Sequence, residues 1–188
     1  MKNKINFFST FLLLVSFISL SAITTVHAAN TKVKDPYKHF FNETWGDLPE
    51  ELAKAKKEGK KGILIFFEMD ECPFCHYMKK NVLNQPLVQE FYRKNFLNIV
   101  IDIEGDVEMV NLKGKTVKQK DFAKKNRIRA TPVIAYYDLT GKMIYRHTGK
   151  TSGVEEFMWL GEYIADEIYK KKIRFSKFKR QKRAEKNK

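Results

Sequence analysis

The chain of 188 residues contains two cysteines, and they stand three apart in Cys72-Pro73-Phe74-Cys75. Ahead of them runs Ile63-Leu64-Ile65-Phe66-Phe67, short and unbroken, the pattern of a strand buried on both faces. A helix is predicted to begin at the first cysteine, because Pro73 suits a first turn, where a missing N–H costs nothing. Cys72 therefore falls where strand gives way to helix. Unpaired N–H groups and the positive end of the helix dipole favour an anion there. Thiolate is the reactive form of cysteine, and such a position can lower its pKa from about 8.5 to between about 3.5 and 7.5. Cys75, one turn on, lies within reach. The pair is a dithiol placed for exchange chemistry.

Two blander readings compete. As a structural staple, a bridge across three residues is worth about 2 kcal/mol in the chain-entropy formula, against about 4.7 for a 100-residue loop. A metal site is the other. Zinc wants a second Cys or His pair, and none appears at a usual spacing. Cu(I) suits soft ligands, and Cys72, Cys75 and either His76 or Met78 offer them. Copper binding or delivery thus stays open as an alternative function.

The cysteines need a folded frame, and 43% hydrophobic residues suffice for one compact core. Residues 1–28 stand apart from it. Met1-Lys2-Asn3-Lys4 is basic, Phe7 to Leu20 is mostly apolar, and Val26 and Ala28 offer small residues before a cut after Ala28. This predicts a secretory signal peptide, with an uncleaved membrane anchor as alternative. No cysteine follows the apolar run, which argues against a lipid anchor. Export puts the protein in the periplasm or outside the cell, where disulfides persist. The net charge of +14 is concentrated at the other end: Lys170–Lys188 holds 11 Lys or Arg and one acid, Glu185. Without a basic motif on a structured face, nucleic acid is not an expected partner. The composition predicts a solvated, disordered tail over 170–188. A weaker alternative touches an anionic membrane through Lys and Arg, with Phe175 and Phe178 dipping in.

Between these ends, residues 29–46 carry little pattern and read as an N-terminal extension, and the domain proper spans 47–169. Asp47-Leu48-Pro49-Glu50 opens a helix that Gly59 closes. After the central strand, the cysteine helix runs to about Leu83, and Asn84-Gln85-Pro86 separates it from another ending near Lys94. Leu97 to Ile103 is the next strand, and the helical crossover makes it parallel to the first. Glu104 to Lys115 reads as a loop or small hairpin. Thr116-Val117-Lys118-Gln119 matches a capping box and predicts a helix to about Asn126. Val133 to Tyr137 and Met143 to Arg146 form a hairpin around Asp138-Leu139-Thr140-Gly141. Ser152-Gly153-Val154-Glu155 opens the last helix, with Val154, Phe157, Met158, Gly161, Ile164, Ala165 and Ile168 on one face.

This order, with the dithiol at a strand-to-helix junction and Thr131-Pro132 heading a later strand, resembles the thioredoxin superfamily over about Asp47 to Ile168. It looks most like exported thioredoxins of the SoxW type. Further matching residues are Phe67-Glu68, Gly105-Asp106, Gly114, Ala130-Thr131-Pro132-Val133 and Asp138-Leu139-Thr140-Gly141-Lys142. The resemblance implies an α/β thioredoxin fold, a central mixed β-sheet flanked by helices. It implies that Pro132 is a cis-proline facing the cysteines and that Thr131 offers its backbone to an extended substrate. Where cytoplasmic thioredoxins carry a buried Asp, six residues before the first cysteine, this chain has Phe66. Glu68, on the same strand face, is a candidate proton relay in its place. His76, four residues after Cys72, is a candidate for stabilising the thiolate; a solvated acid and a surface histidine are the plain alternatives.

The implied activity is a thiol–disulfide oxidoreductase with Cys72 attacking and Cys75 resolving, and it calls for no cofactor or metal. Its partners would be client proteins with disulfides or thiols, and a membrane-borne electron donor if it works as a reductant. A thioredoxin-like interaction module with incidental thiols is the remaining alternative. Nothing resembles the added dimerisation domain of an isomerase.

Overall fold

The computed structural model describes residues 32–187. The proposed signal peptide lies outside these residues. The unbroken apolar run becomes β1 (Gly62–Glu68), and its interior residues are buried on both faces because an apolar cluster covers each. β1 pairs in parallel with β2 (Phe96–Asp102) and antiparallel with β5 (Val133–Tyr137), and β5 pairs antiparallel with β6 (Met143–Thr148). The sheet order is β2-β1-β5-β6. Alternation along β1 divides the core: Leu64 and Phe66 face one apolar cluster, Ile63, Ile65 and Phe67 the other.

The first cluster lies under α3 (Pro73–Asn81), α4 (Pro86–Asn95) and α6 (Val154–Ala165). Tyr92 of α4 stacks on Phe157 of α6 with ring centroids 4.2 Å apart. Gly161 permits this approach, since a Cβ there would stand 2.5 Å from the Phe91 ring. The second cluster lies under α2 (Leu48–Lys57) and α5 (Gln119–Lys125). Asp47 caps α2 by accepting the Glu50 N–H at 2.8 Å.

Three expectations need correction. Thr116-Val117-Lys118-Gln119 does not start a helix: β4 (Thr116–Lys118) pairs with β3 (Glu108–Val110), and α5 begins at Gln119. The Gln119 side chain that would complete the box instead accepts the Asp102 N–H at 2.9 Å. Residues 32–46 are no loose extension, because α1 (Pro36–His39) delivers Phe40 and Phe41 into the core. Asn98 and Asn42 then bind each other through backbone and side chain.

The third correction is the basic C-terminus. Instead of a disordered tail, α6 continues through a 3-10 turn (Ile168–Lys171) into α7 (Phe175–Lys186). Phe175 is buried, and Phe178 lies 5.7 Å from the Tyr163 ring, so neither phenylalanine is available to dip into a membrane. Lys179, Lys182 and Lys186 pair with Glu156, Glu162 and Glu155 of α6 at 2.7, 2.8 and 2.7 Å. This second cover explains why Tyr163 is buried although it lies off the predicted stripe of α6. No helix among the described residues is long and apolar enough to cross a membrane.

Candidate active site

Cys72 is the N-cap of α3, in extended conformation, with Pro73 filling the first helical position. Its Sγ accepts the Cys75 N–H at 3.0 Å, so the first turn points a donor at the sulfur. That donor and the helix dipole stabilise negative charge on this atom once the thiol is free. Cys72 and Cys75 are joined as a disulfide, with Cα atoms 5.2 Å apart. The cysteines are only 2% and 1% exposed, whereas Phe74 between them is 53% exposed. Lys150 lies against this rim, its Nζ 4.3 Å from the centre of the Tyr77 ring and 5.9 Å from that of Phe74.

The Thr131–Pro132 peptide is cis. Phe67 pairs with Val133, which brings Pro132 to the same end of the sheet as Glu68 and the turn leading to Cys72. The Thr131 Oγ1 is buried without a hydrogen-bond partner. Its N–H and C=O make no backbone hydrogen bond among the described residues.

Glu68 is not a solvated acid. Its side chain is 12% exposed and pairs at 2.8 Å with the Lys79 ammonium, one turn beyond Cys75 on α3. The Tyr37 hydroxyl donates to the other carboxylate oxygen at 2.9 Å, and Lys79 donates to the Tyr37 oxygen at 2.6 Å. Burial would lower the pKa of Lys79, but the Glu68 carboxylate and Tyr37 hydroxyl more than offset it and raise it above its ordinary value. Burial, followed by the influence of Glu68, raises the Tyr37 phenol despite the opposing Lys79. The result is a closed carboxylate–ammonium–phenol cluster beside the dithiol.

His76 is exposed, and its backbone N–H donates to the Cys72 carbonyl at 3.0 Å. Met78, the other candidate copper ligand, is fully buried and its sulfur accepts from Thr151 at 3.6 Å. Among the described residues no three His, Cys, Asp or Glu side chains converge as a metal site. Sequence reasoning missed Tyr37, Lys79 and Lys150. A spacing of 11 residues to Glu68 across a turn gave no local signal for Lys79, and Tyr37 is 31 residues away.

A four-stranded mixed sheet with a two-cysteine helix at the end of its central strand, facing a cis-proline strand, defines a thioredoxin fold. The model of the thioredoxin-like domain family matches residues 48–165, and the chain belongs to that family. No curated protein matches it. Among solved structures, a thioredoxin-fold protein from Helicobacter pylori is 22% identical over 67% of this chain and 82% of its own, with a TM-score of 0.56. A protein described as DsbH oxidoreductase is 18% identical over 69% and 88%, with a TM-score of 0.52. A putative disulphide-isomerase from Bacteroides thetaiotaomicron is 23% identical over 66% and 90%, with a TM-score of 0.51. These likenesses establish the fold. The fold and the Cys72–Cys75 pair together support thiol–disulfide redox chemistry.

Proposed function

We propose that the protein is an exported thiol–disulfide oxidoreductase that reduces disulfides in client proteins. The observation that carries this reading is the N-cap position of Cys72, whose sulfur accepts the Cys75 N–H. In the reduced protein, Cys72 thiolate attacks one sulfur of a client disulfide. The client's other sulfur leaves as a thiolate and takes up a proton, and a mixed disulfide remains on Cys72. Cys75 loses its proton and attacks the Cys72 sulfur, releasing the second client thiol. The protein ends as the Cys72–Cys75 disulfide, two electrons having passed to the client. Run backward, these steps oxidise a dithiol; the reducing direction follows from the family resemblance and requires an electron donor, which we assign to the membrane.

The unengaged backbone of Thr131, next to Pro132, supports docking of the client as an added strand. Phe74, Tyr77 and Lys150 form the adjoining contact rim. Glu68 is the proton acceptor for Cys75, with Lys79 and Tyr37 holding its carboxylate in place. His76, on the exposed side of the helix four residues after Cys72, is the candidate for stabilising the thiolate.

The test is a pair of variants assayed on insulin. Cys72→Ser should abolish reduction, whereas Cys75→Ser should accumulate a covalent client adduct that dithiothreitol releases. Full activity in Cys72→Ser would overturn the assignment of the attacking thiol.

A further inference from the structure

Trp45 is 97% exposed and makes no aromatic or cation–π contact among the described residues. An indole laid open in this way faces two recesses. One, of about 510 Å³, is lined by Glu43, Thr44, Trp45, Glu50, Glu51 and Lys54. Glu51 is only 6% exposed, and one of its carboxylate oxygens is buried without any hydrogen-bond partner. A buried carboxylate oxygen normally finds a donor, because leaving it unmatched costs free energy. The other recess, of about 260 Å³, shares Thr44 and Trp45 and is mostly apolar, with Leu48, Ile99, Val107 and Met109 in its walls.

The sheet edge beside the second recess is itself incomplete. Asn98, Val100 and Asp102 turn their backbone groups away from β1. Asn98 is satisfied by Asn42, with bonds of 2.9 and 2.7 Å, and the Asp102 N–H by Gln119 at 2.9 Å. Val100, between them, has no outward partner for its N–H or C=O among the described residues. Asn42, through side chain and backbone, and Gln119 with the Gly105 N–H close the two flanking rungs and leave one open, beside an apolar recess that shares the exposed indole with an acidic one.

We propose that this face docks an extended segment of a partner protein, with a lysine or arginine side chain seated between Trp45 and Glu51. The segment's backbone meets Val100, an apolar side chain enters the smaller recess, and the cation lies over the indole and supplies the donor that Glu51 lacks. Glu43 and Glu50 add negative charge, while Lys54 disfavours a second cation and limits the site to one. Leu48, Ile99 and Met109 of the apolar wall belong to the cluster of Ile63, Ile65 and Phe67, on the opposite face of the sheet from that holding Cys72 and Cys75, while Val107 is exposed. Docking here is therefore independent of the dithiol.

The full chain can be titrated with a capped peptide of valines and one arginine, following the indole N–H resonance of Trp45 by NMR. Trp159, 7% exposed, serves as the internal reference. The Trp45 signal should shift saturably while Trp159 stays in place, and the arginine peptide should outcompete its glutamine counterpart. Glu51→Gln should weaken binding about tenfold, as expected for loss of a charge-assisted hydrogen bond. Should that variant fail to fold, the exposed pair Glu43→Gln/Glu50→Gln should lower the affinity in the same direction. Binding should survive Cys72→Ser/Cys75→Ser, which separates this site from the proposed redox activity. Equal binding of arginine and glutamine peptides, no saturable shift, or unchanged affinity in the carboxylate variants would overturn the proposal.

Discussion

α3 and α7 are both short helices rich in lysine, yet one was legible from sequence and the other was misread. α3 begins with Cys72 and Pro73, and its position follows from local chemistry: an apolar strand, a capping residue and a proline in the first turn. α7 has no side-chain cap and a sequence dominated by Lys and Arg, which on composition should stay solvated. Its order comes from elsewhere in the chain. Phe175 fills a site between Tyr145 and Tyr163, and three lysines find three glutamates on α6. Local chemistry therefore places the reactive end, while nonlocal pairing fixes the closing end. A net charge count over a segment does not reveal whether its partners already wait on a neighbouring helix.

The sharpest break between these regions comes from the cysteines. Cys72→Ser should remove disulfide reduction altogether and leave the docking of α7 unchanged, as hydrogen exchange over residues 175–186 would check. Glu68→Gln should come next, slowing resolution of the mixed disulfide about 100-fold, the lower end for loss of a general acid–base group. Stopped-flow measurement across pH would distinguish that role from a structural one. Lys79→Gln, which removes the ion pair but keeps the carboxylate, should move thermal stability more than rate.

At the other end, Phe175→Ala should cost about 3 kcal/mol, typical for truncating a buried aromatic, without altering the redox reaction. Denaturant unfolding and insulin reduction, measured together, test this separation. Acid should loosen the same helix. Burial opposes ionisation of Glu156, but Lys179 and Ser152 outweigh it and hold its carboxyl below the usual range. The unfolded chain thus binds that proton more readily, and the contribution is fully present above the unfolded carboxyl pKa of about 4.3. It fades as pH falls through the lower folded value, so exchange protection in α7 should hold at neutral pH and drop in acid. Smallest of all, Asp106→Asn should leave the melting temperature unchanged. The Lys118 and Lys120 pairs hold its carboxyl at about 2, but these charges are exposed and screened by solvent.

The same contrast explains what sequence could and could not deliver. The run Ile63–Phe67 and the pattern around Val133 stand out because buried strands need consecutive apolar residues, and their pairing follows from the connections between them. Pro132 and the two cysteines stand out through backbone restrictions carried by the residues themselves. Glu68 was identified as a candidate, but its partners Tyr37 and Lys79 become neighbours only after α1 and α3 pack against the end of β1. Thr116 was misassigned because a capping box and a short hairpin strand demand overlapping residue types; the choice went to Glu108–Val110 as pairing partner and to Gln119 as a plug for the β2 edge.

The most direct test of the dithiol's role is equilibrium of the protein with glutathione buffers, quenched by alkylation and read by mass. Cys72 and Cys75 should oxidise and reduce together, with a two-electron slope of about 30 mV per tenfold change and a midpoint at or below about −200 mV. A pair that stays locked in one state across the whole range, or sulfurs that react singly with glutathione and never with each other, would contradict that role.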